Sequence, residues 1–370
     1  MKKKILVFHP VIAPYRVDLF NELATHYDAT ICLFWRNLKN QTFDYAKIEE
    51  QFVFTPHYIV KEEVGIIKWI KMLWAQLSLS ASDVVLTNEY GVPTIVALIH
   101  RMILRKRYKI VSMVDDSYNM VAKGNHFTWK HEKAISIIAP MLDGLICVEP
   151  KVCLWYQKKY TKAIYFPIIR DDELYRDKLR DSLNISEGYI SRYHLLNKKV
   201  LLFVGRLVAI KNIDFIIRCF KKARIENLYL VIVGSGPEYN ELVRIADNQE
   251  NIIFTGRLEG ERLYAWYNIA NVFTLPSLQE PFGAVTNEAL VAGCKVLISQ
   301  DAGSNCLVTE GVNGFVIDPV DEELYIKRLR LITNNTEKIQ FPLRLRESLM
   351  QENFKECLRQ LVDSLDRMIL

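Results

Sequence analysis

Two glutamates in the stretch QEPFGAVTNEAL, Glu280 and Glu288, stand on either side of a Pro-Phe-Gly turn. Two nearby carboxyl groups suit the acid and the nucleophile or base of a glycoside hydrolase. They also suit a solvated loop acid followed by an acid near the start of a helix. A third interpretation is that they bind different parts of one ligand, because their spacing does not stack them as an i, i+4 pair.

Two cations stand in another loop of the same half of the chain. Arg206 and Lys211 occur in GRLVAIKN, directly after a predicted strand. Such a pair is often a solvated surface pair. An anionic diphosphate would need it, however, since charge-assisted hydrogen bonds contribute about twice as much as neutral ones. The helix predicted to start near Gly283 and Ala284 offers unpaired N–H groups for the same anion.

The segment GSGPEYN places Gly234 and Gly236 before a helix predicted to begin at Pro237. Glycine lets the backbone approach a ligand, and proline suits a first helical turn. The third glycine of G-x-G-x-x-G is replaced by Tyr239, which disfavours a nicotinamide dinucleotide site. A tight strand-to-helix turn and a nucleotide contact both fit the two glycines.

These residues follow nearly continuous apolar runs that alternate with helical patterns, which is typical of a parallel sheet covered on both faces. The predicted strands of the C-terminal half are Val200–Gly205, Leu228–Gly234, Asn251–Gly256, Val272–Pro276, Lys295–Ser299 and Gly314–Asp318. Those of the N-terminal half are Lys4–Phe8, Ala29–Trp35, Asp83–Asn88, Tyr108–Val114 and Leu142–Val148. Ligands bind outside the carboxyl ends of strands in doubly wound sheets, where the charged residues stand.

The length of 370 residues, half of them hydrophobic, indicates two domains with a cleft between them. We expect an α/β protein with two Rossmann-like doubly wound domains. The predicted divisions are an N-terminal Rossmann-like domain over 1–168, a connection over 169–199, a C-terminal Rossmann-like domain over 200–340, and C-terminal helices over 341–370 that pack back on the N-terminal domain. The chain is expected to be helical from Leu324 to its end.

The net charge of +5 is modest and disfavours nucleic acid as a partner. The seven cysteines are scattered without a C-x-x-C pair, which argues against a disulfide framework and a zinc site. A reducing cytoplasmic location is expected. No apolar run approaches the roughly 18 residues of a membrane span.

Positive charge is concentrated in residues 1–165, with 22 Lys and Arg against 15 Asp and Glu. The segments Val64–Leu77 and Ala97–Lys109 combine basic and large apolar residues, a composition that suits a helix lying in an anionic lipid interface. The alternative for the first segment is a buried apolar stripe with lysines toward solvent, formed by Ile66, Ile70, Leu73 and Trp74.

The motifs GRL…K, VGSGP, E-P-F-G…E and AG…EGVNGFV, in this order between Leu201 and Pro319, resemble the C-terminal domain of family four retaining glycosyltransferases of the GT-B fold. The segment His9–Leu23 is similar to the opening loop and first helix of many such enzymes. The resemblance implies two Rossmann-like domains facing across a cleft.

The resemblance also implies residue roles. Arg206 and Lys211 would bind the donor diphosphate and stabilise the leaving nucleoside diphosphate, Glu280 would contact the transferred sugar, and Glu288 would hold the ribose hydroxyls. The other implied donor-binding residues are Gly205, Gly234, Gly236, Pro281, Phe282, Gly283, Ala284 and Val285. No metal or other cofactor is implied, because the two cations and the helix dipole neutralise the diphosphate.

The chain departs from the family pattern in three places, the first being Pro10–Arg16, which replaces the glycine-rich first loop of many relatives. In the loop after Lys295–Ser299, Ala302 replaces a glycine and Cys306 stands where an acid is usual. In the N-terminal half, the usual histidine after the fourth strand is replaced by Asp115 and Asp116. Either aspartate could orient an acceptor hydroxyl or simply cap a helix.

Arg16, in the first N-terminal loop, could approach the phosphates or an acidic acceptor, or could be a surface arginine at a helix start.

The resulting hypothesis is a metal-independent hexosyl- or N-acetylhexosaminyl-type glycosyltransferase that retains anomeric configuration and acts in bacterial surface polysaccharide synthesis. Its partners would be a nucleotide-sugar donor, a glycan or lipid-linked acceptor, and the anionic cytoplasmic face of a membrane. A glycoside hydrolase using Glu280 and Glu288, a nucleotide-sugar epimerase of the same fold and a noncatalytic binding module are the alternatives.

Overall fold

The computed structural model describes residues 2–37, 43–59, 64–123 and 129–369, which form two parallel sheets connected by helices. The first sheet has seven strands in the order β3-β2-β1-β4-β5-β6-β7. They are β1 (Lys4–His9), β2 (Asp28–Leu33), β3 (His57–Tyr58), β4 (Val84–Asn88), β5 (Lys109–Val114), β6 (Gly144–Cys147) and β7 (Ala163–Tyr165). Its helices are α1 (Val17–His26), α2 (Tyr45–Glu49), α3 (Ile66–Leu79), α4 (Val92–Ile103), α5 (Tyr118–Lys123), α6 (Trp129–Ile138) and α7 (Pro150–Lys159).

The second sheet has six strands in the order β10-β9-β8-β11-β12-β13. They are β8 (Lys199–Val204), β9 (Leu228–Val233), β10 (Ile252–Gly256), β11 (Val272–Leu275), β12 (Lys295–Ser299) and β13 (Gly314–Ile317). The helices along this part of the chain and after it are α8 (Asp172–Asp181), α9 (Leu183–Arg192), α10 (Ile213–Ala223), α11 (Tyr239–Ala246), α12 (Glu261–Ile269), α13 (Val285–Val291), α14 (Glu322–Asn334) and α15 (Phe354–Ile369).

The predicted α/β fold with two doubly wound sheets is confirmed. All eleven predicted strands coincide with described strands, and every described strand pair is parallel. The continuous apolar runs are explained by burial on both faces, as in β8, where Leu201, Leu202 and Phe203 are fully buried. The sequence does not predict β3 and β7, since edge strands of 2 and 3 residues are too short to show a hydrophobic period.

Internal contacts divide the chain into two compact units. Unit 1 comprises Met1–Ile168 and Lys355–Leu370, and unit 2 comprises Ile169–Phe354. Within unit 1, the Tyr27 hydroxyl donates to Asp366 Oδ1 of α15 at 3.0 Å. Gly144 of β6 also lies against this helix, because a Cβ there would be 2.7 Å from Met368 Cε. These contacts attach the last helix to the N-terminal unit.

The segment 169–199, expected to be a connection, folds as α8 and α9 within unit 2. Asp171 caps α8 by accepting from the N–H groups of Glu173 and Leu174, both at 3.0 Å. Asn268 of α12 donates to the Leu179 carbonyl at 2.7 Å and so ties α8 to the domain. Residues 335–353 contain no helix, so the expectation of continuous helix after Leu324 is wrong for that stretch.

A surface of unit 1 formed by α3, α4 and the turn after α4 is both apolar and basic, and α3 and α4 pack together. Of the four residues of the alternative buried apolar stripe, Leu73 is buried and Trp74 is half-buried, but Ile66 and Ile70 are exposed. The exposed residues of this surface, named here the α3–α4 face, are Ile66, Ile67, Lys68, Ile70, Lys71, Ile95, Ile99, Met102, Ile103, Leu104, Arg105, Lys106 and Arg107.

Among the described residues, no helix has the length and hydrophobicity that crossing a bilayer requires.

Candidate functional site

The strand order of unit 2 brings two charged loops to one crevice. β8 and β11 are neighbours although β9 and β10 lie between them in the chain, so strand order reverses at this pair. Loops on either side of such a reversal diverge and leave the crevice in which doubly wound sheets bind ligands. The loop after β8 carries Arg206 and Lys211, and the loop after β11 carries Glu280. The three predicted catalytic residues therefore lie on two loops that follow neighbouring strands at one edge of the sheet.

Lys211 and Glu280 form an ion pair through Nζ and Oε2. Both side chains are largely buried, with 15% and 12% of their surface exposed. A hydrogen bond of 2.9 Å from the Leu278 N–H to the Ile210 carbonyl joins the two loops next to the pair. Because burial limits screening by salt, this pair interacts more strongly than a surface pair. The cation and the carboxylate are thus held against each other at the crevice.

Arg206 is exposed, and no ion pair of its guanidinium occurs within the described residues. Its loop is fixed by Asn212, whose side chain donates to the carbonyls of Pro276 at 3.2 Å and Pro319 at 2.7 Å. Asn212 has a φ of 57°, a left-handed conformation that asparagine tolerates better than most residues. A rigid loop therefore presents a solvent-accessible cation beside Lys211.

Gly234 and Gly236 make room for protein backbone. A Cβ on Gly234 would lie 1.8 Å from the Gly205 carbonyl oxygen, and one on Gly236 would lie 2.2 Å from that of Leu207. The turn after β9 is also hydrogen-bonded to the β8 loop, with the Leu207 N–H donating to Ser235 at 2.9 Å. The glycines thus permit two loops to pack together, which is the tight-turn interpretation. The helix begins at Tyr239, two residues later than predicted.

The loop before α13 turns at Gly283, which has a φ of 91°. A side chain there would be strained, and its Cβ would lie 2.6 Å from Leu275 Cδ2. Within the described residues the N–H groups of Phe282, Gly283 and Ala284 donate to no backbone carbonyl. Phe282 is buried, whereas Pro281 is exposed and Ala284 and Val285 are half-buried. The loop therefore offers backbone donors beside Glu280.

Glu288 lies in the first turn of α13, which agrees with an acid near the start of a helix. It is only 8% exposed, accepts from the Tyr267 hydroxyl at 3.1 Å, and lies 3.7 Å from Arg170 Nη1. Arg170 is itself fixed by Asn287, whose Oδ1 accepts from the Arg170 N–H at 2.9 Å. Sequence reasoning misses Arg170 and Tyr267, because neither follows a strand of this sheet.

The loop that departs from the family pattern supports the Glu280 loop. Ala302 is fully buried and forms a bridge with Glu280, and the Gly303 N–H donates to the Glu280 carbonyl at 3.1 Å. The Ser304 N–H donates to the Phe282 carbonyl at 2.8 Å. The loop thus supports the backbone of Glu280, and alanine at position 302, where the family usually has glycine, is compatible with these contacts.

Unit 1 has its own cluster of charged residues at the equivalent edge of its sheet, where strand order reverses between β1 and β4. Arg16 is 5% exposed and forms an ion pair with Asp115 through Nη2 and Oδ1. The interpretation of Arg16 as a surface arginine is therefore wrong. Burial, together with the charge of Arg16, lowers the pKa of His9 to about 3, so the imidazole at the end of β1 is neutral.

Asp116 is buried and accepts from the Tyr156 hydroxyl at 2.6 Å. Glu89, directly after β4, accepts from the Asp115 N–H at 3.1 Å through Oε1. Burial raises the pKa of Asp116 to about 6, and burial together with Asp116 and Asp115 raises that of Glu89 well above its ordinary range. Sequence reasoning omits Glu89, although its position directly after a strand is the signal that would have identified it.

A further carboxyl group at this edge, that of Glu149, follows β6 and precedes α7. Its Oε2 accepts from the Tyr118 N–H at 2.6 Å, and only 1% of the residue is exposed. Burial raises the pKa of Glu149 to about 7. The carboxyl edge of the first sheet is therefore rich in buried acids, whereas that of the second carries accessible cations.

The sequence of unit 2 matches one family model. The model described as Glycosyl transferases group 1 covers residues 191–349, which include the β8 and β11 loops and α13. Residues 191–349 of the chain are therefore similar in sequence to the glycosyl transferases group 1 family. The predicted resemblance is thus confirmed for these residues, and the acidic edge of unit 1 lies outside them.

Curated relatives match about a third of the chain. An uncharacterized glycosyltransferase of Methanocaldococcus jannaschii is 35% identical over 127 residues, 33% of each chain. A GDP-mannose-dependent alpha-mannosyltransferase of Corynebacterium glutamicum is 36% identical over 124 residues, 34% of this chain and 29% of the relative. The matched segment spans about a third of the length of these relatives.

Solved structures match the whole chain. Anabaena HepE in complex with UDP and glucose superimposes with a TM-score of 0.75 and 16% identity, covering 99% of this chain and 100% of HepE. At this identity the similarity establishes the fold, which is the GT-B type with two Rossmann-like domains.

The substitution Gly236→Ala is expected to lower the free energy of unfolding by about 1–3 kcal/mol, because the new methyl group overlaps the Leu207 carbonyl. The matched control is Gly188→Ala in α9, where a Cβ meets nothing within 4 Å. This control should raise the free energy of unfolding by about 0.5–1 kcal/mol, as alanine favours a helix interior. Chemical denaturation of both variants measures the difference, and equal effects would contradict the proposed loop packing.

Glu149→Gln is expected to change how stability depends on pH. The folded pKa of about 7 exceeds the unfolded value of 4.5, so the folded state binds the proton more tightly and the free energy of unfolding falls as pH rises through this window. The loss amounts to about 2 kcal/mol between pH 5 and pH 8, and it should disappear in the variant. Denaturation midpoints at the two pH values test this, with Glu132→Gln as the exposed control; parallel curves for wild type and Glu149→Gln would rule it out.

Proposed function

We propose that this protein is a retaining glycosyltransferase that transfers a sugar from a nucleoside-diphosphate donor to a hydroxyl of a glycan or lipid-linked acceptor, in the synthesis of a bacterial surface polysaccharide. The observation that carries the proposal is the ion pair of Lys211 and Glu280 beside the exposed Arg206, at the reversal of strand order in unit 2. Cations at this place suit an anionic ligand, and a carboxylate among them suits hydroxyl groups.

The donor diphosphate would exchange partners with the existing ion pair. When the phosphates bind, Lys211 and Arg206 donate to their oxygens, and the Glu280 carboxylate is released to accept from sugar hydroxyls. The N–H groups of Phe282, Gly283 and Ala284 add neutral donors to the same anion. Charge that develops on the leaving nucleoside diphosphate is thus neutralised by side chains held in place, so donor binding and cleavage need no metal ion.

The ribose would be held by Glu288. Tyr267 and Arg170 fix this carboxylate, and a carboxylate has about four lone-pair sites, so it keeps acceptor capacity for the two ribose hydroxyls. The named donor of the Corynebacterium relative is GDP-mannose, and the HepE complex contains UDP. Both are nucleoside diphosphates, which supports the class of donor, and a panel of nucleotide sugars will identify base and sugar.

On the acceptor side, Asp116 is the residue we propose to contact a hydroxyl group. Asp115 and Arg16 neutralise one another in an ion pair. They would hold the loops at this edge of the sheet in place and would present no net charge to the acceptor. An acidic acceptor group is accordingly not expected to bind next to Arg16.

The geometry argues against the glycoside hydrolase. Glu280 is paired with Lys211 and Glu288 lies next to Arg170, so neither carboxyl group is placed as a free acid. In a hydrolase, the cations Arg206 and Lys211 would also have no function. An epimerase would change the sugar of its nucleotide-sugar donor without requiring an acceptor. A noncatalytic module would bind nucleotide without releasing it from a nucleotide sugar.

We further propose that the α3–α4 face lies on an anionic membrane at the cytoplasmic side. Its exposed isoleucines would enter the lipid interface while Lys68, Lys71 and Arg105–Arg107 contact acidic head groups. This combination of apolar and basic residues matches the chemistry of an anionic lipid surface, where a lipid-linked acceptor would be found.

Lys211→Ala is expected to lower the rate of nucleoside diphosphate release from the cognate nucleotide sugar by about 100-fold or more, since one stabilising cation is removed from the leaving group. Lys222→Ala, which also removes one ion-paired lysine from unit 2, is the control and should keep the wild-type rate. Thermal melting of both variants verifies folding. Wild-type turnover by Lys211→Ala would show that the phosphate assignment is wrong, and an inverted product anomer would exclude retention.

Vesicle flotation tests the membrane contact. Wild-type protein should float with vesicles containing acidic phospholipid and much less with neutral vesicles or at high salt. Replacing Arg105, Lys106 and Arg107 by glutamine should weaken binding about 100-fold, at about 1 kcal/mol per basic residue. The matched control replaces Arg192, Lys327 and Lys338, exposed basic residues of unit 2, and should float like wild type. Equal flotation of the two triple variants would refute the assignment of this face.

A further inference from the structure

The acidic edge of unit 1 contains a group of side chains that neither the proposed donor contacts nor the family motifs explain. One ligand atom each from Glu89, Asp116 and His131 lies within 4.8 Å of the others. The three residues come from the end of β4, the end of β5 and the helix α6. Chain segments far apart in sequence therefore converge on one point beside the reversal of strand order, where doubly wound sheets bind ligands.

Glu89 is held in a conformation that its side chain alone does not favour. Its φ is 55°, in the left-handed region, which costs a residue other than glycine about 1 kcal/mol or more. The backbone is fixed on both sides: its N–H donates to the Met113 carbonyl at 2.9 Å, and its carbonyl accepts from Ser112 Oγ and Thr94 Oγ1, each at 2.7 Å. The surrounding strands thus impose the direction in which this carboxylate points.

The two carboxylates are each anchored through one oxygen. Glu89 Oε1 accepts from the Asp115 N–H, while Glu89 Oε2 is buried and has no hydrogen-bond partner. Asp116 is 3% exposed, and its Oδ2 accepts from the Tyr156 hydroxyl. Metal-binding side chains commonly have such outer hydrogen bonds, which orient the ligand atoms before the ion arrives.

The third member of the group supplies a nitrogen ligand. His131 lies edge-on to Tyr90, with ring centroids 6.0 Å apart. Two carboxylates and one imidazole form a ligand set that suits Mn²⁺ or Zn²⁺ better than the all-oxygen sites of Mg²⁺ or Ca²⁺.

Charge balance also favours a cation at this point. The nearest guanidinium, that of Arg16, is already paired with Asp115. Glu89 and Asp116 would otherwise be neighbouring buried carboxyl groups with like charges, an arrangement that is costly without a cation or a shared proton.

We infer that Glu89, Asp116 and His131 form a binding site for a divalent transition-metal cation in unit 1. Three protein ligands leave further coordination positions for water or for an oxygen of a bound molecule. The site is separate from the residues proposed to bind the diphosphate, so removing the ion leaves donor binding unchanged; a hydroxyl group that contacts Asp116 would occupy one of the open coordination positions.

The experiment is a titration of Mn²⁺ into full-length protein that has been stripped with chelator and dialysed, with free Mn²⁺ measured by electron paramagnetic resonance. Wild type should bind one ion per chain. Glu89→Gln and His131→Gln should each weaken binding at least about ten-fold, because each removes a ligand of the ion. The control is His57→Gln, an exposed histidine of the same unit, and it should bind like wild type. The same titration with Zn²⁺ and a competing chelator compares the two metals.

Two outcomes would overturn the inference: no saturable binding by wild type, which would leave a shared proton between Glu89 and Asp116, or equal affinity in all four proteins. The half-buried His131 is the safer variant for folding, and melting curves report whether the Glu89 variant is native. Release of nucleoside diphosphate, measured in the same samples with chelator present, tests the proposed function independently of the metal site.

Discussion

The reversal of strand order is the constraint on which the candidate site of each unit depends. In a parallel sheet every strand ends at the same edge, so many loops compete for that edge, and only where the order reverses do two of them separate far enough to admit a ligand. In unit 2 this place lies between β8 and β11, and in unit 1 between β1 and β4. Residues far apart in the chain, such as Lys211 and Glu280, meet there because of topology alone.

Ion pairs maintain these crevices when no ligand neutralises their charges. A partly buried lysine or carboxylate without a partner would cost several kcal/mol of desolvation. Lys211 with Glu280, and Arg16 with Asp115, avoid this cost by pairing within the protein. In such a pair, an anionic ligand group can take the place of the carboxylate beside the cation, and a ligand hydroxyl can then donate to the carboxylate. Binding would thus replace interactions within the protein by interactions with the ligand.

Most of the fold could be predicted from the sequence, because buried parallel strands leave long apolar runs that local glycines and helices interrupt. Edge strands such as β7 lack that pattern and become visible only through their neighbours. The predicted positions of Arg206, Lys211 and Glu280 depend on one rule, the location of strand ends, and the structure brings them together. Gly236 shows the limit of the rule: a glycine next to a predicted site can be required by a neighbouring carbonyl, and nothing in the local sequence distinguishes this from a ligand contact.

Residues that act through tertiary contacts were beyond local sequence reasoning. Arg170 lies in a segment expected to be a connection, and its relation to Glu288 exists only because α8 packs within unit 2. Glu89 follows a strand, but its importance depends on the left-handed backbone and on Asp116 of the next strand. The order in which strands pair decides which charged residues come together, and local sequence patterns do not reveal that order.

The two sheets therefore present opposite chemistry at the same structural position. The edge of the second sheet offers accessible cations and backbone N–H groups, which suit an anionic group that gains charge as it leaves. The edge of the first sheet offers buried carboxyl groups and neutral imidazoles, which suit hydroxyl groups or a cation and repel phosphate. Since both edges derive from the same α/β topology, most of the difference lies in the few residues that follow each strand.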